Sequence, residues 1–530
     1  MIGLELVVIL GGMIVVCGLL GRRLGIADPV LLLLAGVLLG FAPALRGVHL
    51  PPELMLLVFL PALLYWESLT ASLREIRATL RGVVLTGTVL VVVTAASVAL
   101  AAHLLGFAWG PAWVLGAAVA PTDATAVGAL ARILPRRHVA ALRAESLVND
   151  GTALVVYGVA VGVTVGDETL STVHLTWLFV LAYGGGIAVG AVVAAFGTWA
   201  RRRIGDPLLG NVVVLLIPFT AFLLAELIDA SGVLAVVVCG LAMSQIGPRI
   251  GRADTRQQTT AFWTLATYLL NAALFIVVGL EAHSAVRNLV STDLLTAVTG
   301  VAVVCAVIVG VRISFLVISA YAIRLLDRRP QQLLRRVSNR ARVVSTVAGF
   351  RGAVSLAAAL AIPTSVGTGG PFPDRDLIVF ITAGVVATTL VVQGILLPVT
   401  VRWAHLPADD GARRERRLAD EAASEAAMDA LPRVAAELGT DPDVVERLRA
   451  EFAEHAHLVR ARGDDDVEPD STVRLDEQYT ELRLALLGEK RATVIRLRDE
   501  RAIDDTVLRQ VQARLDIEEV RLSRGDLVQD

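Results

Sequence analysis

The chain has 530 residues, of which 55% are apolar and 18% are charged, and its mean hydropathy is +0.67. These values lie far from those of a soluble globular domain and predict an all-α integral membrane protein. Its 3 cysteines, Cys17, Cys239 and Cys305, all fall inside apolar runs, which excludes a disulfide framework and a cysteine-ligated zinc site.

The net charge of -2 combines two parts of opposite charge. Residues 404–530 carry 31 acidic and 20 basic side chains, a net charge of -11, which leaves +9 for residues 1–403. Every long apolar run lies in the first part. We therefore predict a transmembrane domain over 1–403 and a soluble, helical cytoplasmic tail over 404–530.

The apolar runs are long enough to count the membrane crossings. A helix needs about 20 apolar residues to cross the hydrocarbon of a bilayer. The sequence predicts thirteen such spans, at 2–20, 28–44, 52–67, 82–104, 110–133, 141–166, 174–199, 207–229, 231–247, 259–280, 294–323, 341–364 and 376–401.

The arginines of the connecting segments indicate the orientation of the chain. Short loops rich in Lys and Arg stay in the cytoplasm. Alternate loops hold two or more arginines each, while the loops between them hold only Arg46, Arg287 and Arg375. We therefore expect a multi-pass protein of the cell inner (plasma) membrane, with the N-terminus outside and the tail in the cytoplasm.

The fifth span contains a helix breaker beside a carboxylate. Pro121 removes a backbone donor and obstructs the preceding turn, so the helix is expected to break at mid-membrane, next to Thr122 and Asp123. In transporters such breaks lie at the substrate site. A proline kink in which a nearby hydroxyl such as that of Thr125 satisfies Asp123 is the structural alternative.

The sixth span carries the densest polar cluster of the membrane part. Glu145 and Asn149 are four residues apart and share one helix face, while Ser146 and Asp150 share another. Asp150 and Ser146, with Thr122 and Asp123 of the broken span, offer hard oxygen ligands for a small cation. A polar seam between helices is the alternative interpretation.

Glu145 needs a positive partner inside the membrane. Arg312 is the best candidate, because it interrupts the apolar run of the eleventh span far from either end. We predict a buried Glu145–Arg312 pair braced by Asn149, with a structural role.

Three motifs in order resemble a known family. The runs Pro121-Thr122-Asp123, Glu145-Ser146-Leu147-Val148-Asn149-Asp150-Gly151 and Gly349-Phe350-Arg351-Gly352-Ala353 resemble those of monovalent cation/proton antiporters of the bacterial NhaP type, relatives of the eukaryotic sodium/proton exchangers. The resemblance covers residues 1 to about 403 of the printed sequence.

The resemblance implies a fold and a set of roles. The fold has thirteen helices in two inverted repeats, with two crossed, interrupted helices in a core domain and a separate dimerisation domain. Asp150 is implied to bind the cation and the proton, near Ser146, Thr122 and Asp123, and Glu145, Asn149 and Arg312 are implied to form the brace. Glu67 matches a further acidic residue of the third span, although the second proline of that family motif is replaced by Ala62. The helix-break residues are Pro121, Gly349, Arg351 and Gly352, with Arg351 expected to cap exposed carbonyls.

These residues predict an antiporter that exchanges a monovalent cation for H+, with Na+ as the first candidate, Li+ as the second and K+ as the alternative. A single carboxylate for which cation and proton compete gives obligatory exchange. The resemblance implies an electroneutral cycle, because Asn149 stands where the electrogenic relatives of the family carry a second aspartate. An intramembrane aspartyl hydrolase using Asp123 and Asp150 is the competing class, but it leaves Arg312 unexplained. A passive channel is a third possibility, which is disfavoured because a fixed pore needs no proton-titratable site.

The tail contains apolar stripes at helical spacing and no nucleotide or zinc motif. We expect no cofactor besides the transported ions and no nucleic-acid partner. The expected partners are the lipid bilayer, monovalent cations, protons and a second copy of the chain in a homodimer. A regulatory or dimer-stabilising role of the tail and an inert appendage both stay open.

Overall fold

The computed structural model describes residues 2–24, 28–42, 55–123, 136–166, 172–250, 253–288, 291–326, 338–366, 370–406, 411–461, 471–500 and 505–526. Thr125, considered above as a partner of Asp123, lies outside these residues. The described chain is helical, and its only β pairing is an isolated bridge between Ser365 and Pro371. It forms two compact units, Met1–Ala408 and Asp409–Asp530.

The helices of the first unit follow the apolar runs. In chain order they are α1 (Ile2–Leu24), α2 (Asp28–Leu39), α3 (Leu60–Thr70), α4 (Leu73–Val84), α5 (Val91–Leu104), α6 (Trp109–Val119), α7 (Arg136–Val165), α8 (Thr172–Arg203), α9 (Pro207–Glu226), α10 (Gly232–Ile250), α11 (Ala253–Asn288), α12 (Ser291–Leu326), α13 (Asn339–Val347), α14 (Ala353–Leu360) and α15 (Arg375–Ala404). A π-helical turn precedes α3, and another joins α4 to α5.

Eight of the described helices are long and apolar enough to cross a membrane. Four shorter apolar helices accompany them, at Asp28–Leu39, Leu57–Thr70, Trp109–Val119 and Gly232–Gly247. Each of these twelve helices overlaps one predicted span, and the remaining predicted span, 341–364, is divided between α13 and α14. The structure thus supports a multi-pass helical membrane protein, and the count of thirteen crossings stays a prediction.

The helices of the first unit pack in two groups. In one group, α3, α8, α9 and α10 pack together. In the other, α5, α6 and α7 pack with α12, α14 and α15. The helix α11 packs along α2 and contacts helices of both groups. Large apolar side chains such as Val7, Leu104 and Phe196 are exposed on the outer faces, as expected for surfaces that contact lipid.

Two spans are interrupted, each for a local reason. The helix α6 ends at Val119, two residues before Pro121, because proline cannot continue the hydrogen-bonding pattern of a helix. Between α13 and α14 the chain leaves the helical conformation over 348–352, where Gly349 and Gly352 lie.

The second unit consists of four polar helices, α16 (Gly411–Leu438), α17 (Pro442–Ala461), α18 (Ser471–Asp499) and α19 (Asp505–Asp526). The helices α16 and α17 pack together, as do α18 and α19. Leu487 of α18 and both Leu508 and Leu515 of α19 are buried. Arg483 and Glu518 form an ion pair of 3.0 Å between α18 and α19.

Candidate functional site

The two interrupted spans cross at their breaks. The backbone N–H of Asp123 donates to the carbonyl of Phe350 at 2.8 Å. In return, the Ala353 N–H donates to Oδ2 of Asp123 at 3.0 Å. Gly352 permits this approach, since a Cβ at that position would lie 1.7 Å from Oδ2 of Asp123. Asp123 therefore caps the N-terminus of α14, where a negative charge is stabilised by the free N–H groups and the helix dipole.

Arg351 satisfies carbonyls at the C-terminal ends of the opposite half-helices. Its Nη1 donates to the Gly349 carbonyl at 2.7 Å, and its Nε donates to the Val119 carbonyl, at the end of α6, at 3.1 Å. The side chain is buried. The positive charge of the buried arginine stabilises the partially negative C-terminal ends of two helices. The negative charge of Asp123 stabilises the partially positive N-terminal end of α14 in the same way. Arg351 thus caps carbonyls at both breaks, whereas the sequence indicated only the break in its own span.

Asp150 lies on α7, beside this crossing. Asp150 and Ser146 are both almost completely buried. Oδ1 of Asp150 has no hydrogen-bond partner among the described residues. The carboxylates of Glu67 and Asp123 are close enough to interact electrostatically with Asp150. A buried carboxylate oxygen without a donor is expected to bind either a proton or a cation.

Glu67 comes to the same place from α3. It is half-buried, its side chain is hydrogen-bonded to Ser146, and its Oε1 has no partner among the described residues. The fold therefore brings Glu67 to Ser146 and Asp150, which follow it by about 80 residues in the sequence. Over the described residues, no three His, Cys, Asp or Glu side chains form a cluster that could hold a metal ion.

Glu145 and Arg312 form the least exposed ion pair of the described chain. Nη1 of Arg312 lies 2.7 Å from Oε1 of Glu145, and the side chains are 4% and 10% exposed respectively. Nε of Arg312 also donates to the Ser345 carbonyl at 3.1 Å. The pair consequently connects α7, α12 and α13, on the face of α7 that the helical spacing separates from Asp150.

Asn149 has a different partner from the one that the sequence indicated. Its Nδ2 donates to Oγ1 of Thr122 at 2.6 Å and approaches the Thr122 carbonyl at 3.4 Å. Its Oδ1 has no partner in the described part of the chain, so Asn149 makes no hydrogen bond there to Glu145 or Arg312. One oxygen of Glu145 is paired with Arg312, whereas the Thr122 hydroxyl lies beside the break and within hydrogen-bond distance of the Asn149 amide. Asn149 therefore braces the broken fifth span and not the ion pair.

Two contacts near the site carry no signal in the sequence. Thr152, two residues after Asp150, shares a hydrogen bond of 2.8 Å with the Tyr183 hydroxyl, which connects α7 to α8. The Thr389 hydroxyl of α15 lies 3.4 Å from the backbone nitrogen of Arg351. Hydroxyl residues in apolar spans usually bond to their own helix, so only the packing reveals these partners.

Comparisons with known proteins agree with this arrangement. The family model described as "Sodium/hydrogen exchanger, transmembrane" matches residues 11–403. An uncharacterised Na+/H+ exchanger of Mycobacterium tuberculosis is 44% identical over 98% of this chain and 96% of its own length. The Na+/H+ antiporter ApNhaP of Aphanothece halophytica is 30% identical over 78% of this chain and 75% of its own length.

A solved structure shares the fold. The sodium proton antiporter MjNhaP1 of Methanocaldococcus jannaschii superposes with a TM-score of 0.56 at 19% identity, covering 76% of this chain and 99% of that structure. At this identity the likeness concerns the fold alone.

The family match over residues 11–403 and the antiporter relative identify a membrane transporter and not an enzyme. The chain belongs to the sodium/hydrogen exchanger family, as the three motifs indicated, and is a cation/proton antiporter. The alternative of an intramembrane aspartyl hydrolase is therefore wrong.

Proposed function

We propose that this antiporter exchanges Na+ for H+ and that both ions compete for Asp150. The observation that carries the proposal is the buried Oδ1 of Asp150, which has no hydrogen-bond donor among the described residues and lies beside two further carboxylates. Ser146, Glu67, Thr122 and Asp123 supply the surrounding oxygens. No cofactor takes part besides the transported ions.

Li+ is the second candidate for transport, and K+/H+ exchange is the alternative. A related protein of Bacillus pumilus is named a sodium, potassium, lithium and rubidium/H+ antiporter, and it is 29% identical over 68% of this chain. The chain spans 56% of that relative. Relatives of the same family thus differ in the cations that their names give, and oxygen ligands alone do not select one of them.

Exclusive occupancy makes the exchange obligatory. Asp150 binds a proton or a cation, but not both, and we propose that the helix group holding the site changes its access only when one of them is bound. Asn149 is neutral in both states and is already engaged with Thr122. One cation therefore exchanges for one proton, and the cycle is electroneutral.

We further propose the surroundings in which the exchange takes place. The transmembrane domain, residues 1–403, has thirteen spans in two inverted repeats. Its N-terminus lies outside the cell membrane, and the acidic tail, residues 404–530, lies in the cytoplasm. The protein acts as a homodimer and contributes to pH homeostasis. The support is the alternation of arginines between successive loops and the family relationship.

The test uses purified protein in acid-loaded liposomes that contain a pH-sensitive dye. Addition of Na+, Li+ or K+ to the wild type is expected to restore the dye signal, whereas Asp150→Asn abolishes the response to every cation. Asp376→Asn is the matched control, because Asp376 is a partly exposed carboxylate at the start of α15. An unchanged response in Asp150→Asn would overturn the role of Asp150.

A second assay addresses the charge balance. In liposomes clamped at different membrane potentials, the rate of an electroneutral exchange is expected to stay constant. A current that scales with transport would show that each cycle moves net charge and would contradict an electroneutral exchange.

A further inference from the structure

Arg143 lies on the same face of α7 as the two central residues of the ion site. Ser146 follows it by three residues and Asp150 by seven, a spacing that places all three side chains along one side of the helix. Arg143 is about 4.5 Å before Ser146 along the helix axis, toward the end that begins at Arg136. It is therefore the first charged side chain beyond the site on this face.

The charge of Arg143 acts on Glu67. Arg143 is half-buried and interacts electrostatically with the Glu67 carboxylate. Ser146, three residues further along the same face of α7, is hydrogen-bonded to that carboxylate.

Two other arginines near the site are already engaged. Arg312 pairs with Glu145, and Arg351 donates to the carbonyls of Val119 and Gly349. Arg143 makes no hydrogen bond or ion pair of its own with any described residue. Within the described part of the chain, its positive charge can therefore act on the site carboxylates without being neutralised by a hydrogen-bonded partner.

We propose that Arg143 sets the cation affinity of the site by acting as a tethered positive charge that competes with the transported cation for Glu67. The inference rests on the proposed function. The positive guanidinium of Arg143 offsets part of the negative charge of Glu67, so an entering cation binds to Glu67 more weakly. Arg143 touches no ion itself and is a positioning residue in this sense: it tunes a ligand and does not replace one.

The experiment compares Arg143→Gln with Arg143→Lys in the liposome assay, over a range of cation concentrations. Loss of the charge in Arg143→Gln is expected to lower the half-saturating cation concentration about three- to tenfold, with a maximal rate close to the wild type. Lysine keeps the charge and is expected to retain the wild-type value. Arg402→Gln is the matched control, because Arg402 is an exposed arginine at the end of α15.

A second measurement tests whether the effect passes through Glu67. Cation-dependent thermal stabilisation of purified protein reports binding even in variants that do not transport. The shift caused by Arg143→Gln is expected to fall below about twofold when Glu67→Gln is already present, because coupled residues are not additive. Should Arg143→Gln fail to fold, Arg143→Met keeps the apolar stem and carries the same expectation.

The outcomes separate this inference from the proposed function. An unchanged half-saturating concentration in Arg143→Gln, or an equal shift in the presence and absence of Glu67→Gln, overturns the role of Arg143 and leaves the exchange itself intact. If Arg143 had only a structural role, Arg143→Gln would lower the stability or the maximal rate. Keeping the positive charge in Arg143→Lys would then not prevent that loss. Absence of exchange in the folded wild type overturns the proposed function instead.

Discussion

At the scale of single residues, the Glu145–Arg312 pair shows how a charge is tolerated inside an apolar bundle. Both side chains are nearly excluded from solvent, and their separation is 2.7 Å. The attraction between buried charges roughly offsets the cost of removing them from water, whereas a single buried charge has no such compensation. The pair is accordingly expected to matter for folding and not for ion binding.

The first prediction is that Arg312→Met lowers the free energy of unfolding by about 3–5 kcal/mol, because Glu145 is left buried and unpaired. Adding Glu145→Met to that variant is expected to recover most of the loss. The midpoint of thermal unfolding in detergent measures both effects. Equal destabilisation in the single and double variants would contradict this account of the pair.

At the scale of helices, the crossing of the interrupted spans depends on a glycine. A side chain at Gly352 would point directly at the Asp123 carboxylate. There is no room for a side chain, since the Ala353 N–H must reach Oδ2 of Asp123 at 3.0 Å.

The second prediction is that Gly352→Ala separates the two breaks and abolishes exchange, because the added Cβ would overlap Asp123. The measurement is the liposome assay together with a check of folding by size-exclusion chromatography. Gly158→Ala in α7 is the control, since a Cβ there meets nothing within 4 Å. Wild-type exchange in Gly352→Ala would show that the crossing can relax without loss of the site.

Close packing of α2 against α11 also depends on small residues. A Cβ on Gly36 would lie 2.0 Å from the Ile276 carbonyl oxygen, and one on Gly279 would lie 2.2 Å from that of Leu33. Membrane helices approach closely where such residues face each other.

The third prediction follows from this contact. Gly279→Ala is expected to push α2 and α11 apart and to lower the free energy of unfolding by about 1–3 kcal/mol. The midpoint of thermal unfolding measures this loss. Gly12→Ala in α1, where a Cβ meets nothing within 4 Å, is the control and is expected to be neutral. A neutral Gly279→Ala would mean that the helices adjust without cost.

At the scale of the whole molecule, the chain has two units of different chemistry. The first unit, Met1–Ala408, contains every residue of the candidate site. The second, Asp409–Asp530, is polar, and its described ion pairs, such as Arg483–Glu518, are largely exposed. Exposed pairs contribute little to stability, so we expect burial of Leu431, Leu487, Leu508 and Leu515 to contribute more to the stability of this unit.

The fourth prediction concerns this division. A chain that ends at Ala408 is expected to exchange cations at a rate within about twofold of the full-length protein, because it keeps the complete site. The liposome assay on equal amounts of folded protein measures the rate. A large loss of rate in the shortened protein would assign the tail a part in transport.

The sequence by itself determined the features that depend on neighbouring residues. Hydropathy over windows of 20 residues located the apolar helices, because the cost of placing polar groups in hydrocarbon is paid segment by segment. Pro121 indicated the end of α6 because proline acts on its own turn. Helical spacing separated Glu145 from Asp150 on α7 in the same way.

The tertiary structure decided which distant groups meet. Arg351 and the Val119 carbonyl are 232 residues apart, and Asp123 and the Ala353 N–H are 230 apart. Asn149 donates to Thr122 instead of Glu145, and Arg143 interacts electrostatically with Glu67, because each interaction depends on how one helix face packs against another part of the chain. Periodicity defines the faces of a helix, but only packing selects the face that each one meets.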